Sequence, residues 1–415
     1  MDIRKVFSFF LILLPVTNIY GCGIPGISIG KVILVLLVIG SIIKNRCTVF
    51  PKIPKYAFLF MSWVLIVPFF YISAQWFSYT DALYKLVGVL GFWLTLGYSL
   101  QIVDVDYLFK VYGRFAFIFS LVFLFQTVVY YATGKNIVFI IPFLPLADAS
   151  DSVSYIDGQS VWNRQCSVFL EPAYFSFYIG IFLCLLLNKC SDLFNKKVLF
   201  YIVILILLRS GNGYLCLLMT ILSYFVMHYR RILSNRRNLI GIFFVIIIGA
   251  FAYFHLSVDS SSDFGETFNR VSELGKNAEN DKTSGFERIY RGYYIYDDLP
   301  SYAKILGIGQ GNILSFSRVH QFRQYMNIGL ENDAFYMNCI QQILVYSGII
   351  GLMLFIYFIL RISTNKIAMS ITLLFVSLSF VTAIYNTPYM LFFLLFGILY
   401  SRKQFTLGRR GICYE

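Results

Sequence analysis

Long apolar runs alternate with short polar stretches along the whole chain. They show neither the two-residue period of a half-buried strand nor the one-sided stripe of a soluble helix. A bilayer core needs about 20 apolar residues per helix, within a range of about 17–25. At that length the runs predict an all-α polytopic membrane protein of about twelve transmembrane helices. They fall near 6–20, 27–43, 56–74, 82–101, 114–132, 168–188, 197–210, 212–228, 238–256, 334–360, 367–384 and 387–400. The seventh and eighth are short. Only Arg209-Ser210-Gly211-Asn212-Gly213 joins them, which reads as a tight hairpin or a partly re-entrant pair. The N-terminal MDIRKVFSFFLILLPV has the basic start and apolar run of a signal peptide. No small-x-small cleavage site follows and another span comes soon after, so it is read as a retained first helix.

Composition agrees with the pattern. Of 415 residues, 58% are hydrophobic, 19% aromatic and only 13% charged. Soluble domains carry about 25% charged residues. The mean hydropathy is +0.71. A net charge of +13 raises nucleic-acid binding. The basic residues gather in no single stripe, so that reading is set aside. They mark sidedness instead, because cytoplasmic loops are enriched in lysine and arginine. With the N-terminus inside, the inner segments hold Arg4 and Lys5, Lys44 to Lys55, Lys189 to Lys197, Arg230 to Arg237, and Arg402 to Arg410. The outer segments other than the longest hold only scattered cations, so both termini are expected in the cytoplasm. The eight cysteines form no CxxC pair and read as small hydrophobes, with no metal signature.

Three regions follow: 1–256, the N-terminal helices with an outer loop at 133–167; 257–333, a large extracytoplasmic loop; and 334–415, the C-terminal helices with a short cytoplasmic tail. Loops this long are usually functional, which puts the working surface away from the cytoplasm. In the larger loop, SGFERIYRGYYIYDDL is amphipathic at helical spacing, and Arg288 and Arg291 are three apart on one face. It reads either as an interfacial helix presenting guanidiniums to headgroups or as a surface anchor with an exposed Glu287–Arg291 pair. LGIGQGN is read as a tight turn, with anion cradling by backbone N–H groups as the alternative. Arg318 and His320 follow, and histidine is the usual proton shuttle near neutral pH. At the mouth of the sixth span lie Arg164 and Glu171. Glu171 precedes Pro172, which suits a helix's first turn and sets the carboxylate against the positive end of the dipole. Arg209 ends an apolar run, where an ionisable group is a functional candidate or a snorkelling one.

Arginine predominates on the outer side: Arg164, Arg209, Arg270, Arg288, Arg291, Arg318 and Arg323. A guanidinium offers a planar fork of donors that matches phosphate oxygens two at a time. Several at a membrane surface suit a lipid-linked diphosphate. Displacing that group needs charge neutralisation and positioning, with no nucleotide and no cofactor. Glycosyl transfer from a polyprenyl-diphosphate sugar fits.

Three patterns resemble the bacterial O-antigen and capsular polysaccharide polymerases, the Wzy family. They are Arg164-x-x-Ser167-x-Phe169-x-Glu171-Pro172 opening a helix, SGFERIYRG followed by ILGIGQGN, and MNCIQQILVYSGIIGL re-entering the membrane. The resemblance implies a GT-C-like plan and a metal-independent transfer of undecaprenyl-diphosphate-linked repeat units, donor to acceptor, at the outer face of the inner membrane. It also implies a chain-length regulator as partner, besides membrane lipids. Carried over, the diphosphate-holding role falls on Arg164 and Arg288, then on Arg291 and Arg270, with Arg209 and Arg318 as further contacts. Glu171 would orient or deprotonate the acceptor hydroxyl, and His320 or Glu331 would substitute for the base that the related O-antigen ligases carry at the position of Met337. In the related O-antigen ligases a His-Asn pair precedes a Gly-x-x-Gly step. Here Asn338, Gly348 and Gly351 keep the spacing, but Met337 replaces the histidine, which argues for polymerase over ligase. A lipid-linked sugar transporter is the rival of another class.

Overall fold

The computed structural model describes residues 2–23, 27–44, 46–137, 139, 141, 143–147, 165–190, 192–233, 287–320, 322 and 337–402. Regular structure among them is helical, with isolated β-bridges Tyr20–Leu146 and Gly21–Ser28. The helices are α1 (Ile3–Thr17), α2 (Ile29–Ile43), α3 (Lys55–Ile66) running into a 3-10 turn (Val67–Tyr71), α4 (Tyr79–Ile102) and α5 (Val105–Thr133). Next come α6 (Pro172–Cys190), α7 (Lys196–Leu207), α8 (Gly211–Leu233) and a π-helix (Glu287–Arg291). The last are α9 (Gly292–Asp298), α10 (Ser301–Leu306), α11 (Ile313–Val319), α12 (Cys339–Ile362), α13 (Lys366–Ser379) and α14 (Pro388–Ser401).

Each apolar run expected to span, outside 238–256, coincides with a helix; 238–256 lies outside the described residues. Among the described residues, four helices are long and apolar enough to cross a membrane: α4, α5, α6 and α12. The protein is membrane-embedded. Short polar side chains set where its helices begin. Asp2, Ser28, Asp104, Asn195, Asn365 and Thr387 each accept a bond from a backbone N–H of the first turn. Such caps satisfy donors that the helix itself leaves open and are worth about 1 kcal/mol each.

The chain forms two compact units. One comprises 1–51, 98–267 and 403–415; the other comprises 52–97 and 268–402. In the first, α6 is buried on every side from Phe175 to Asn188. An all-apolar helix has no face for water and becomes a core element. Close approach is built in: an added Cβ on Gly180 would press on Cys216, and one on Gly213 on Ser176. Residues 208–210 form a tight turn between α7 and α8. In the second unit α14 is buried from Tyr389 to Tyr400 and packs along α13.

The second unit is organised by a break in α12. Gly348 has φ 65 and ψ −171, which ends one helical stretch and starts another. The carbonyls just before the break accept from outside the helix. Ile308 N–H donates to Val345 O (3.0 Å) and Gly309 N–H to Tyr346 O (3.0 Å). Trp63 Nε1 donates to Ser347 O (2.8 Å), and the Tyr71 hydroxyl donates back to Gly307 O (2.7 Å). Gly307, Gly309, Gly311 and Gly348 all have left-handed φ. An added Cβ at 307 would collide with the Tyr346 carbonyl, and one at 348 with the Ile305 carbonyl. LGIGQGN is therefore a tight turn locked onto α12. The N–H groups of Gly307, Ile308 and Gly309 are committed to carbonyls rather than turned toward an anion.

The 284–299 stretch differs from the expected amphipathic helix. Over Glu287–Arg291 it is a π-helix, so an α-helical phase cannot be carried through it. Arg291 is buried at 2% exposure instead of sharing an outward face, while Ile295 and Leu299 enter the core. Arg291 therefore belongs to no pair on the exposed surface.

Gly348→Ala and Gly307→Ala should each destabilise the protein by about 2 kcal/mol or more, from left-handed strain plus collision with backbone. Gly88→Ala, where a Cβ meets nothing, should be neutral. Thermal unfolding midpoints of the purified protein in detergent check this. Equal midpoints for all three would show that the packed break is absent.

Candidate functional site

The last turns of α5 hold two strained segments. Gln126 sits buried in an otherwise apolar stretch. Its Oε1 accepts from Ser167 N–H (2.8 Å), and its Nε2 donates to the carbonyls of Ser167 (2.9 Å) and Ile137 (2.9 Å). The Ser167 hydroxyl donates to Phe119 O (2.7 Å). Ser167 itself has φ 59. Left-handed backbone outside glycine costs on the order of 1–3 kcal/mol and persists only where its surroundings over-determine it. Gln126 and Phe119 supply that constraint. Phe169 continues the anchoring, stacking on Phe175 at 5.3 Å.

Four residues beyond Ser167 lies Glu171. Its carbonyl accepts from Tyr174 N–H (3.1 Å) and Phe175 N–H (3.3 Å), so it opens α6, with Pro172 at the first helical position. Its side chain is exposed. This is the helix-start placement that the Glu-Pro pair predicts, and the dipole there favours the carboxylate. The helix starts later than 168 because 167–171 are drawn onto α5.

Arg209 occupies the turn between α7 and α8 with φ 50. Its Nη2 donates to the Tyr131 hydroxyl, and its guanidinium carbon lies 5.5 Å from the Tyr131 ring centroid. A cation over an aromatic face gains about 0.5–1 kcal/mol when exposed. Gln126 and Tyr131 stand on neighbouring turns of α5. Gly213 meets Ser176, one turn into α6. Glu171 and Arg209 are thus brought to one end of the first unit.

In the second unit, Asn338 caps α12. Its Oδ1 accepts from Gln341 N–H (2.9 Å), and Gln341 Oε1 accepts from Asn338 N–H (3.0 Å). Asn338 Nδ2 donates to Phe380 O (2.8 Å), so this amide is occupied in holding the helix start. Gln341 Nε2 donates to Ile289 O (2.8 Å), two residues from Arg291, which places Arg291 and Asn338 in one neighbourhood. Arg318 is exposed on α11, and the His320 ring stacks on Phe316 at 4.4 Å. Arg288 is described only through its backbone, in the π-helix. Arg164, Arg270 and Glu331 lie outside the described residues. Among the described residues, no group of three His, Cys, Asp or Glu side chains is placed to hold a metal ion.

Three organising residues escaped the sequence reading. Gln126 carried a signal, as a polar side chain inside a spanning run. Gln341 did too, because Asn338-x-x-Gln341 has the spacing of a capping box. Tyr131 carried none beyond the aromatic richness of membrane interfaces.

No family model matches the chain, and no curated protein matches it at a significant level.

Gln126→Leu should strip both Ser167 backbone groups of their partner at a buried position, a loss of about 2–4 kcal/mol. Amide hydrogen exchange over 165–170 should then quicken by about 10²-fold, since each 1.4 kcal/mol is tenfold. Unchanged exchange would mean that Ser167 is held by something else.

Proposed function

We propose that the chain is an O-antigen or capsular polysaccharide repeat-unit polymerase. It would have twelve spans, both termini in the cytoplasm and a reaction centre on the outer face of the bacterial inner membrane. One observation carries this reading. Of the three non-glycine residues with left-handed backbone among the described residues, Ser167 and Arg209 lie at the same end of one unit as an exposed Glu171. Strained backbone concentrates at functional sites, and here it is maintained by a dedicated buried amide.

Two undecaprenyl-diphosphate-linked oligosaccharides are the substrates. The acceptor hydroxyl attacks the anomeric carbon of the donor. A new glycosidic C–O bond forms, the C–O bond to the diphosphate breaks, and undecaprenyl diphosphate departs. Glu171, exposed at the head of α6, is suited to take the hydroxyl proton. A positioned general base contributes about 10²–10⁴-fold. Guanidiniums neutralise the departing diphosphate; Arg209 belongs to this end of the molecule, and Arg164 stands three residues before Ser167. Arg288, Arg291, Arg270, Arg318, His320 and Glu331 remain candidates for the second substrate. A chain-length regulator is the proposed protein partner.

A second reading, export of a lipid-linked sugar, is favoured by the break in α12, since carriers bind substrate at discontinuous helices. Lipid analysis of a strain lacking the gene separates the two. Single lipid-linked repeats capped onto the core lipid are expected. Repeats trapped on the inner face would establish the carrier, and complete polymer left on its lipid would establish a ligase. In vitro, Glu171→Gln should lower polymer formation by about 10²-fold or more at normal protein level, and Arg164→Lys nearly as much as Arg164→Ala, because the fork is lost. Full activity in both variants would remove this end of the molecule from the reaction.

A further inference from the structure

The large loop does not stay clear of the helix it precedes. Ile289 and Gly292 contact Gln341, in the first turn of α12. Ile308 and Gly309 bond Val345 and Tyr346, and Ile305 backs onto Gly348. Between residues 292 and 309 the chain therefore travels down α12 from its start to its break. Gly348 lies nine residues into the 24-residue α12. At about 1.5 Å per residue that is about 13 Å along a helix about 36 Å long, against a hydrocarbon core of about 30 Å.

We propose that α10 and the glycine turn, residues 301–312, form a re-entrant wedge inside the membrane, with Tyr302 and Ile305 in contact with lipid acyl chains.

Four observations support it. First, irregular backbone at membrane depth survives only where protein buries it. Gly307 to Gln310 and Asn312 are all buried, and their bonds run to α12, Tyr71 and Tyr385. Second, Tyr302 and Ile305 are large and apolar yet 45% and 51% exposed. Third, that surface adjoins the outward stripe of α12 below the break: Ile349, Met353, Ile356 and Leu360, all exposed. That stripe is the lipid face of a membrane-crossing helix, and Ile305 continues it. Fourth, the single cation of α10 turns back. Lys304 Nζ lies 3.8 Å from Asp297 in α9, nearer the start of α12. A lysine reaching for the interface while its stem lies along apolar surface behaves this way. This proposal stands whether the protein is a polymerase or a carrier, because it concerns only where these residues sit.

Spin labels report it in the full-length protein in phospholipid vesicles, with Cys22, Cys47, Cys190 and Cys413 replaced by serine. Labels go on Tyr302→Cys and Ile305→Cys, with Met353→Cys as the lipid reference and Asp297→Cys as the aqueous one. All four positions are exposed, so folding is preserved. Collisions with oxygen, which partitions into hydrocarbon, are compared with collisions with a water-soluble nickel chelate. Positions 302 and 305 should resemble 353, with oxygen dominant, and 297 should show the reverse. A label at 305 that meets the chelate as freely as one at 297 overturns the wedge. So does a parent chain with Ile305→Lys that keeps its unfolding midpoint, since a lysine facing hydrocarbon should lower it.

Discussion

A helix that breaks within a bilayer leaves carbonyls with no water to accept from. Each buried polar group without a partner costs about 1–3 kcal/mol. In α12 the carbonyls of Val345, Tyr346 and Ser347 face that problem, and three separate donors answer it: Ile308, Gly309 and Trp63. Together they are worth several kcal/mol, a large share of the stability of any domain. The rest of the second unit is arranged around that constraint. Gly307 and Gly348 lack side chains because each lies against the other segment's backbone. Pro68 sits against Gly309, and Asp81 against Gly311, for the same reason. Residues more than two hundred positions apart in sequence are held as one object.

The first unit repeats the device with a side chain. Gln126 offers a donor and an acceptor from inside an apolar helix, and Ser167 uses both. Gln341 does likewise for Asn338 and Ile289. A neutral amide suits this work, because a charge at the bilayer centre costs about 2.5–3.5 kcal/mol on insertion scales. At the candidate site charge lies at helix ends. Arg209 lies over Tyr131 at a turn, and Glu171 lies at the head of α6. A carboxylate on a rigid helix start, reached by a pinned loop, keeps its position without help from a ligand, as the proposed role of Glu171 requires.

The helices were legible because apolar length is a property of each segment alone: 387–400 reads the same in any surroundings. The start of α6 was legible in the Glu171-Pro172 pair, and the hairpin in Ser210-Gly211-Asn212-Gly213. Glycine density marked the turn at 307–311 but not its partner, because pairing with Val345 and Tyr346 is a tertiary fact. The break at Gly348 was hidden, since YSGIIG inside an apolar run reads as unbroken helix. Arg291 was phased outward by a 3.6-residue rule that the π-helix does not obey. At the candidate site the ionisable residues were legible. The neutral residues that aim them, Gln126 and Tyr131, acquire meaning only when Ser167 and Arg209 arrive from elsewhere.

The break in α12 bears on the choice between enzyme and carrier. Carriers use discontinuous helices because the free ends bind ions and substrate, and the bundle then rocks around them. In α12 the carbonyls beside the break are already bonded to the glycine turn and to Trp63. Each already accepts one bond, so none is left unpaired for a substrate to satisfy. Sliding α12 against this turn would strip at least two backbone bonds at membrane depth and press Gly307 and Gly348 into neighbouring carbonyls. Only a movement carrying α3, α10, the turn and α12 as one body avoids that cost. Such a helix acts as a fixed wall. A helix held still in this way suits the proposed group transfer, where substrates move and the protein does not, more than it suits transport.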